Sequence, residues 1–454
     1  MVPDKAFIGE LDEVVGTANV LTDPELTHHY RRDWTGRFVA PSAAVVRPGD
    51  VTEVAAIIEL CRKHQVAVVP QGGNTGLVAG AVPLSGELVV STERLNGIES
   101  VSAGSGGLTA LAGTPLATVQ QAALDHGWVY GVDIASRDSA TIGGTVATNA
   151  GGLRVSRYGD SRQQVVGIEM VAGTAEIISE MSGTLRNNTG YHLPSLVAGS
   201  EGTLGILTRV ALRLVPRFRS RTAALLRFEN PSDATNSAEQ LRGLIPGAES
   251  IELFFGDGLR LVCSTFSMAP PFPRTDGGYV LVEVAGQDDQ TAVLAEAVEV
   301  LAGVSDVAVA DDSTGRARLW RYRELHTEAI AALGVAHKLD IAVPPGALDE
   351  FMTAVPETVR RVAPEATTWL FGHAGESAVH VNVTGLDNDD YSADEAVLNL
   401  VIAMGGSISA EHGIGRTKLS WMGLAHSEVD LAVLRRIKSA FDPDGIMNPA
   451  VLIK

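Results

Sequence analysis

PQGGNTGLVAGAVP, residues 70–83, is too rich in glycine to hold a regular helix or strand. Two more stretches share that character: SATIGGTVATNAGG at 139–152, and AGSEGTLGILTRVALRLVP at 198–216, which runs on into a strand. One such loop reads as ordinary turn glycine in an α+β domain. Three of them between residues 70 and 216 favour a long polyanionic ligand laid against backbone N–H groups, because glycine lets a backbone approach closely. No G-x-G-x-x-G follows a strand and opens a helix, so a Rossmann nicotinamide site is not supported. No G-x-x-x-x-G-K-[ST] occurs, which removes the P-loop reading.

On the N-terminal side, residues 41–70 read as strand, helix, strand. Asp50 with Glu53 three residues on resembles a capping box, and Val54, Ile57, Ile58 and Cys61 mark one helical face. Cys61 is therefore expected in the core, with no catalytic part. After Pro216 the pattern changes. RTAALLRFE reads as a strand, 232–244 as a helix, ESIELFF and GYVLVEVAG as strands, 288–302 as a helix and VSDVAVADD as a strand. That is close to a β-α-β-β-α-β order, with helices over one face of an antiparallel sheet. Pro270, Pro271 and Pro273 mark a surface loop between its halves. A second layer of the same kind is expected through AHKLDIAVP, a helix near 346–362 and the segment FGHAGESAVHVNV at 371–383. The helix DLAVLRRIKSA leads into a turn-rich tail, FDPDGIMNPA.

The bulk numbers narrow the function. The chain has 454 residues, 45% hydrophobic and only 5% aromatic, with 48 glycines, a globular composition long enough for two or three cores. A net charge of −19 argues against a nucleic-acid partner and requires a local positive site for any anionic substrate. Cys61 and Cys263 are the only cysteines, which fits a reducing compartment and excludes a disulfide framework or a thiolate cluster. The opening MVPDKAFIGELDEVVG has no basic region followed by an apolar run, so no secretory signal is expected. No run of 18 apolar residues occurs, and a cytoplasmic protein is the expectation.

His373 and His380 stand seven apart around a glycine turn, and isolated histidines of this kind are more often core residues than ligands. Gly375 between them breaks strand parity and lets them converge, while His380 and Asn382 alternate onto one strand face.

PQGGNTG at 70–76, IGGTVATNAGG at 142–152, GSEGTLGI at 199–206, SAEHGIG at 409–415 and MNP at 447–449 occur in this order. Together they resemble the FAD-dependent D-2-hydroxyacid dehydrogenases of the vanillyl-alcohol-oxidase superfamily, whose FAD domain is of the PCMH type. The likeness covers nearly the whole chain. It is greatest to the D-2-hydroxyglutarate dehydrogenases, with D-lactate dehydrogenases and the glycolate oxidase D subunit further off. The resemblance implies an α+β protein with an FAD-binding domain over 1–216, a ferredoxin-like substrate cap over 217–440 and a C-terminal segment, 441–454, that returns to the flavin. Pro70, Gly72, Gly73, Asn74, Thr75 and Gly76 would cradle the pyrophosphate. Ser139, Ile142, Gly143, Gly144, Asn149 and Gly152 would line the flavin and its ribityl chain. Glu201, Gly202 and Ile206 would close over the adenosine side, and Asn448 would reach the flavin. The 70–76 loop has no histidine or cysteine, so the FAD is expected to be non-covalent.

In the similar enzymes H-x-G-D-G-N-x-H and a later S-x-E-H-G hold a divalent metal, which implies His373, His380 and Glu411 as ligands here. Two imidazoles and a carboxylate are a common zinc set, and Mn²⁺ or Fe²⁺ also accept it. The family's Asp-Gly-Asn is Glu376, Ser377 and Ala378 in this chain. His412, beside Glu411, would be the general base. The pattern R-E-x-x-T followed by K-x-D falls on Arg323, Thr327 and Lys338, which with Asn382 would bind substrate carboxylates. The expected reaction is oxidation of a D-2-hydroxyacid, D-2-hydroxyglutarate first, with D-lactate or glycolate as the alternative. A non-catalytic electron-relay subunit would have no reason to keep His373, His380, Glu411 and His412 together. A sugar-nucleotide reductase of the same FAD fold would lack them. The electron acceptor, a quinone, an electron-transfer flavoprotein or another carrier, is not legible, and a homodimer stays open.

Overall fold

The computed structural model describes residues 5–40, 44–182, 184 and 187–453. Residues 41–43, at the start of the expected strand-helix-strand, lie outside the described residues. The chain divides into two compact units. The first comprises 1–152, 159–217 and 411–454, and the second 153–158 and 218–410. The sequence division at 216 differs from this by one residue, while the segment grouped with the first unit begins at 411, not 441.

Among the described residues, the first unit is built on two larger sheets and a two-stranded pairing of Val215–Pro216 with Trp128–Val129. In the smaller of the two sheets, the strand order is Val20–Leu21, Val45–Val46, Leu88–Ser91, Val68–Gln71, and the last three run parallel. Their crossover is the helix Val51–His64. Asp50 accepts from Glu53 N at 2.9 Å and starts that helix, and Gln65 ends it in the left-handed region. Val54, Ile57, Ile58 and Cys61 are buried against Phe7, Leu11, Val68 and Leu88. Burial pushes the Cys61 thiol up to about 12, which leaves it an inert core group. The larger sheet is antiparallel, in the order Ile98–Ser102, Gly107–Leu111, Gly205–Arg213, Val165–Ala172, Ile177–Glu180. Its core includes Leu116 and Val119 of helix Leu116–Asp125, and Ile142 and Val146 of helix Ile142–Thr148. After the helix Glu428–Phe441 the tail pairs with the end strand of the smaller sheet: Val68 N donates to Ile446 O and Asn448 N to Val68 O.

The second unit is one seven-stranded antiparallel sheet. Its order is Val304–Ala310, Ser220–Phe228, Gly278–Gly286, Ala248–Phe255, Thr367–His373, Ala378–Thr384, Ala336–Ala342. The first four strands, with helices Pro231–Leu244 and Thr291–Glu299, are the expected β-α-β-β-α-β arrangement. The second half is not a separate layer: Thr367–His373 pairs with Ala248–Phe255 and continues the same sheet. Helix Gly256–Thr265, which sequence reading passes over, lies between two of the strands. No described helix is long and apolar enough to cross a membrane.

The hairpin between Thr367–His373 and Ala378–Thr384 sets where its histidines point. His373 is paired with Ala378 and Phe371 with His380, so both histidines project from one face by register. Gly375 is not the residue that absorbs the reversal; Ser377 is, at φ 55°. Serine there has replaced the glycine of the family pattern, and an L-residue in that region carries strain. Ser377→Gly is expected to raise the urea midpoint of unfolding and Ser377→Val to lower it, a gap of about 1–3 kcal/mol between the two. Coincident midpoints would show that φ at 377 costs nothing.

Candidate functional site

The first unit carries a groove where the glycine loops meet. Pro70, Gly72, Gly73, Asn74, Thr75, Gly76, Gly143, Gly144, Glu201, Gly202 and Ile206 all line it, as does His412. The 70–76 loop leaves the strand Val68–Gln71 and turns at Asn74, φ 51°. Among the described residues, no hydrogen bond is donated by the N–H groups of residues 72–76. Five successive free donors make a nest for a polyanion. The walls are close: a Cβ on Gly72 would overlap Thr141 Oγ1, and one on Gly73 the Ser139 carbonyl oxygen. The groove therefore fits a pyrophosphate held by backbone amides.

Other expected residues stand around the groove in supporting positions. Ser139 contributes that carbonyl wall. Ile142 is buried in the core, and its N–H donates to Thr114 O. Asn149 ends helix Ile142–Thr148 at φ 55° and bonds Asp160 Oδ2 at 2.8 Å. Gly152 N donates to Glu411 Oε2 at 3.2 Å, which joins the end of the second glycine loop to the SAEHGIG segment. The Glu411 carboxylate lies 3.5 Å from His412 Nε2. Glu201 accepts from Ile414 N at 2.8 Å and Gly415 N at 2.7 Å. Burial raises the Glu201 pKa, and those two N–H donors oppose the rise. Asn448 donates to Gly80 O at 2.9 Å and Glu201 O at 2.7 Å.

In the second unit strand alternation gathers a polar face. Glu252 pairs with His373, Phe371 with His380, Asp340 with His380, and Lys338 with Asn382, so all these side chains leave the sheet on the same side. His373 Nε2 and His380 Nε2 are 3.2 Å apart. Two ligands on a tetrahedral ion at about 2.0–2.1 Å stand roughly 3.3 Å apart, so the pair fits two corners of a metal site. Asn382 Nδ2 is buried with no hydrogen-bond partner among the described residues. Burial pulls the Lys338 pKa down. Thr327 is half-buried in the first turn of helix His326–Ala331.

Arg323, on helix Ser313–Glu324, is not on a solvated helix face. It is buried, its Cζ lies 4.6 Å from the Phe371 ring centroid, and its Nη2 lies 2.8 Å from Glu252 Oε2. That ion pair is close, but its angle is not that of a hydrogen bond, since Arg323 Nη2 and Glu252 Oε2 both lack a hydrogen-bond partner. Sequence reading missed Glu252 and Asp340. Glu252 also accepts from His373 Nδ1 at 2.9 Å and from Ser250 Oγ at 2.9 Å. Burial works to raise its pKa, but the charges of His373 and Arg323 prevail and lower it. Asp340 Oδ1 is 3.9 Å from His380 Nδ1, and its other oxygen accepts from Ala410 N at 3.1 Å. Asp340 had a signal in the K-x-D pattern; Glu252 had none outside strand register. His326, in the same neighbourhood, is a core group: burial lowers it to about 3 and it packs against Phe254 and Phe371.

The family of FAD binding domains matches residues 41–179, and that of FAD linked oxidases, C-terminal domain, matches 217–452. The D-2-hydroxyglutarate dehydrogenase of Xanthomonas citri is 36% identical over 98% of this chain and 96% of its own length. The mitochondrial D-2-hydroxyglutarate dehydrogenase of Arabidopsis thaliana is 32% identical over 98% of this chain and 81% of its own. The structure of p-cresol methylhydroxylase with substrate bound shares the fold at a TM-score of 0.78 and 13% identity, covering 99% of this chain and 97% of that one. That of 4-ethylphenol oxidase from Gulosibacter chungangensis does so at 0.74 and 15%, covering 100% and 99%. The chain belongs to the family of FAD-linked oxidases that includes the D-2-hydroxyglutarate dehydrogenases.

Proposed function

We propose that this protein oxidises a D-2-hydroxyacid to the 2-oxoacid, with D-2-hydroxyglutarate the preferred substrate. The observation that carries the reading is the polar sheet face bearing His373, His380, Asn382 and Lys338, with Arg323 laid over the Phe371 ring beside it, in a chain about one-third identical to D-2-hydroxyglutarate dehydrogenases along its length. FAD, held non-covalently, supplies the hydride acceptor, and a divalent cation, zinc or else manganese or iron, supplies Lewis acidity. His373 and His380 are the imidazole ligands in this proposal, and Glu411 the carboxylate. Asn382 Nδ2 donates to the α-carboxylate. Lys338, with Arg323 and Thr327, takes the distal carboxylate by charge-assisted hydrogen bonds. His412 accepts the hydroxyl proton on an imidazole nitrogen. An external carrier, a quinone, an electron-transfer flavoprotein or another, removes the electrons.

A second reading, D-lactate or glycolate as substrate, draws support from the Arg323–Glu252 ion pair, which leaves less cationic charge for a second carboxylate. Dye reduction separates the two. D-2-hydroxyglutarate is expected to exceed D-lactate in kcat/KM, and Lys338→Met to lower the first by roughly a hundredfold and the second far less, the worth of one charge-assisted bond in the transition state. Chelator is expected to abolish turnover with FAD retained. Equal kcat/KM for the two acids would favour the second reading, and full activity in metal-free protein would return the histidines to a core role.

His412→Ala is expected to keep its FAD and lower kcat by about 10²–10⁴-fold, the range for a positioned base. A loss under about tenfold at saturating substrate would assign the base elsewhere. Gly73→Ala puts a methyl group onto the Ser139 carbonyl wall. It is expected to be purified with far less flavin, read from the ratio of absorbance at the flavin band to that of protein. Full flavin occupancy in this variant would show that the 70–76 loop does not hold the cofactor.

A further inference from the structure

We propose that Glu252 is a positioning residue for the metal site, orienting the ligand His373 with one oxygen and neutralising Arg323 with the other. The inference rests on the reading of His373 and His380 as metal ligands and extends it to a residue with no family motif behind it. Glu252 stands in the interior of the strand Ala248–Phe255, directly opposite His373, and is 1% exposed. A carboxylate in that position is expensive to bury unless every oxygen is engaged by a cation or a donor. Here Oε1 is engaged by hydrogen-bond donors and Oε2 by a cation. Oε1 accepts from His373 Nδ1 and from Ser250 Oγ, both at 2.9 Å, while Oε2 faces Arg323 Nη2 at 2.8 Å.

The consequence for His373 is a fixed tautomer. With the proton on Nδ1 donated to Glu252, the lone pair lies on Nε2, the atom turned to His380 Nε2. A carboxylate behind a ligating imidazole both sets the ring orientation and raises its basicity. Asp340, 3.9 Å from His380 Nδ1, stands in the corresponding place behind the second ring, but too far for a direct hydrogen bond. The two histidines are therefore not equivalent, and the firm support is at His373. The altered GESA loop sits at the same strand ends, so the ring support comes from a neighbouring strand.

The test is Co²⁺ titration of the FAD-loaded protein, followed by the visible ligand-field bands of the bound ion and by competition with a chromophoric chelator. Glu252→Gln is expected to weaken Co²⁺ binding by about 10–100-fold and shift the bands, with FAD content unchanged. Glu252→Asp is expected to recover part of the affinity. Ser250→Ala removes only the hydroxyl donor to Oε1 and is expected to weaken binding by a few-fold, so it serves if Glu252→Gln does not fold. Unchanged Co²⁺ affinity in Glu252→Gln, or in Ser250→Ala where that is the variant used, would overturn the positioning role and leave the metal site standing. A wild-type protein that binds no Co²⁺ would overturn both, and the wild-type titration alone tells these failures apart.

Discussion

One buried carboxylate ties the first unit together at its groove. Glu201 sits at φ 52° at the head of the third glycine loop and accepts the N–H groups of Ile414 and Gly415. Its own carbonyl accepts Asn448 Nδ2, which also binds Gly80 O. Four stretches far apart in sequence, at 80, 201, 414–415 and 448, are thereby fixed by one acid and one amide. The glycines among them are required by contact: a Cβ on Gly413 would lie 2.7 Å from Glu201 Oε1, and one on Gly415 would overlap the Val78 carbonyl. Glu411 and His412 stand on this anchored segment, so the Glu201 carboxylate helps to set where the proposed base is held. Each N–H donor to a carboxylate is a charge-assisted bond, stronger than a neutral pair, which is how the burial of Glu201 is sustained.

The second unit uses a different device. Its site owes nothing to loops. It is read from strand alternation across four adjacent strands, where one face bears Glu252, His373, His380, Asp340, Lys338 and Asn382 and the opposite face of the same strands bears Val379, Val381 and Val383 in the core. A register slip of one residue would exchange the two sets, burying the valines among charges. The apolar face therefore enforces the geometry of the polar one. Helix Ser313–Glu324 lays Arg323 over the Phe371 ring on that side, which holds a planar cation on an aromatic plane.

This division explains what the sequence made legible. The glycine-lined groove was visible because close backbone approach demands glycine, and glycine clusters leave a mark in composition. The first four strands of the second unit were visible because each is a short apolar run ended by turn residues. Their continuation into one seven-stranded sheet was not, since the pairing of Ala248–Phe255 with Thr367–His373 spans more than a hundred residues and no local pattern encodes it. Glu252 is hidden for the same reason: an acid inside ESIELFF reads as a solvent-facing position until a partner strand brings a histidine opposite it. Arg323 was open to reading as a solvated helix residue because helix periodicity does not say which arginine lies over a buried ring. At the hairpin, Gly375 drew attention as the flexible residue, while backbone geometry assigns the left-handed turn to Ser377.

Charge balance on the second unit's polar face connects these observations to the proposed chemistry. The formal charges flanking the two histidines are Glu252 and Asp340 against Arg323 and Lys338, which cancel. An anionic substrate brought to a charge-balanced face in a chain of net charge −19 finds little electrostatic reason to stay. Burial worsens this by pulling Lys338 toward its neutral form, while the Arg323 guanidinium is shared with Glu252. A dicarboxylate would add two negative charges there, and a monocarboxylate one. Under the proposed reading, a divalent cation held by His373, His380 and Glu411 brings a net positive charge that offsets one of the two charges of the larger substrate, which couples metal occupancy to dicarboxylate binding. The neutral ligands His373 and His380 serve this better than carboxylates would, since they bind the ion without cancelling its charge.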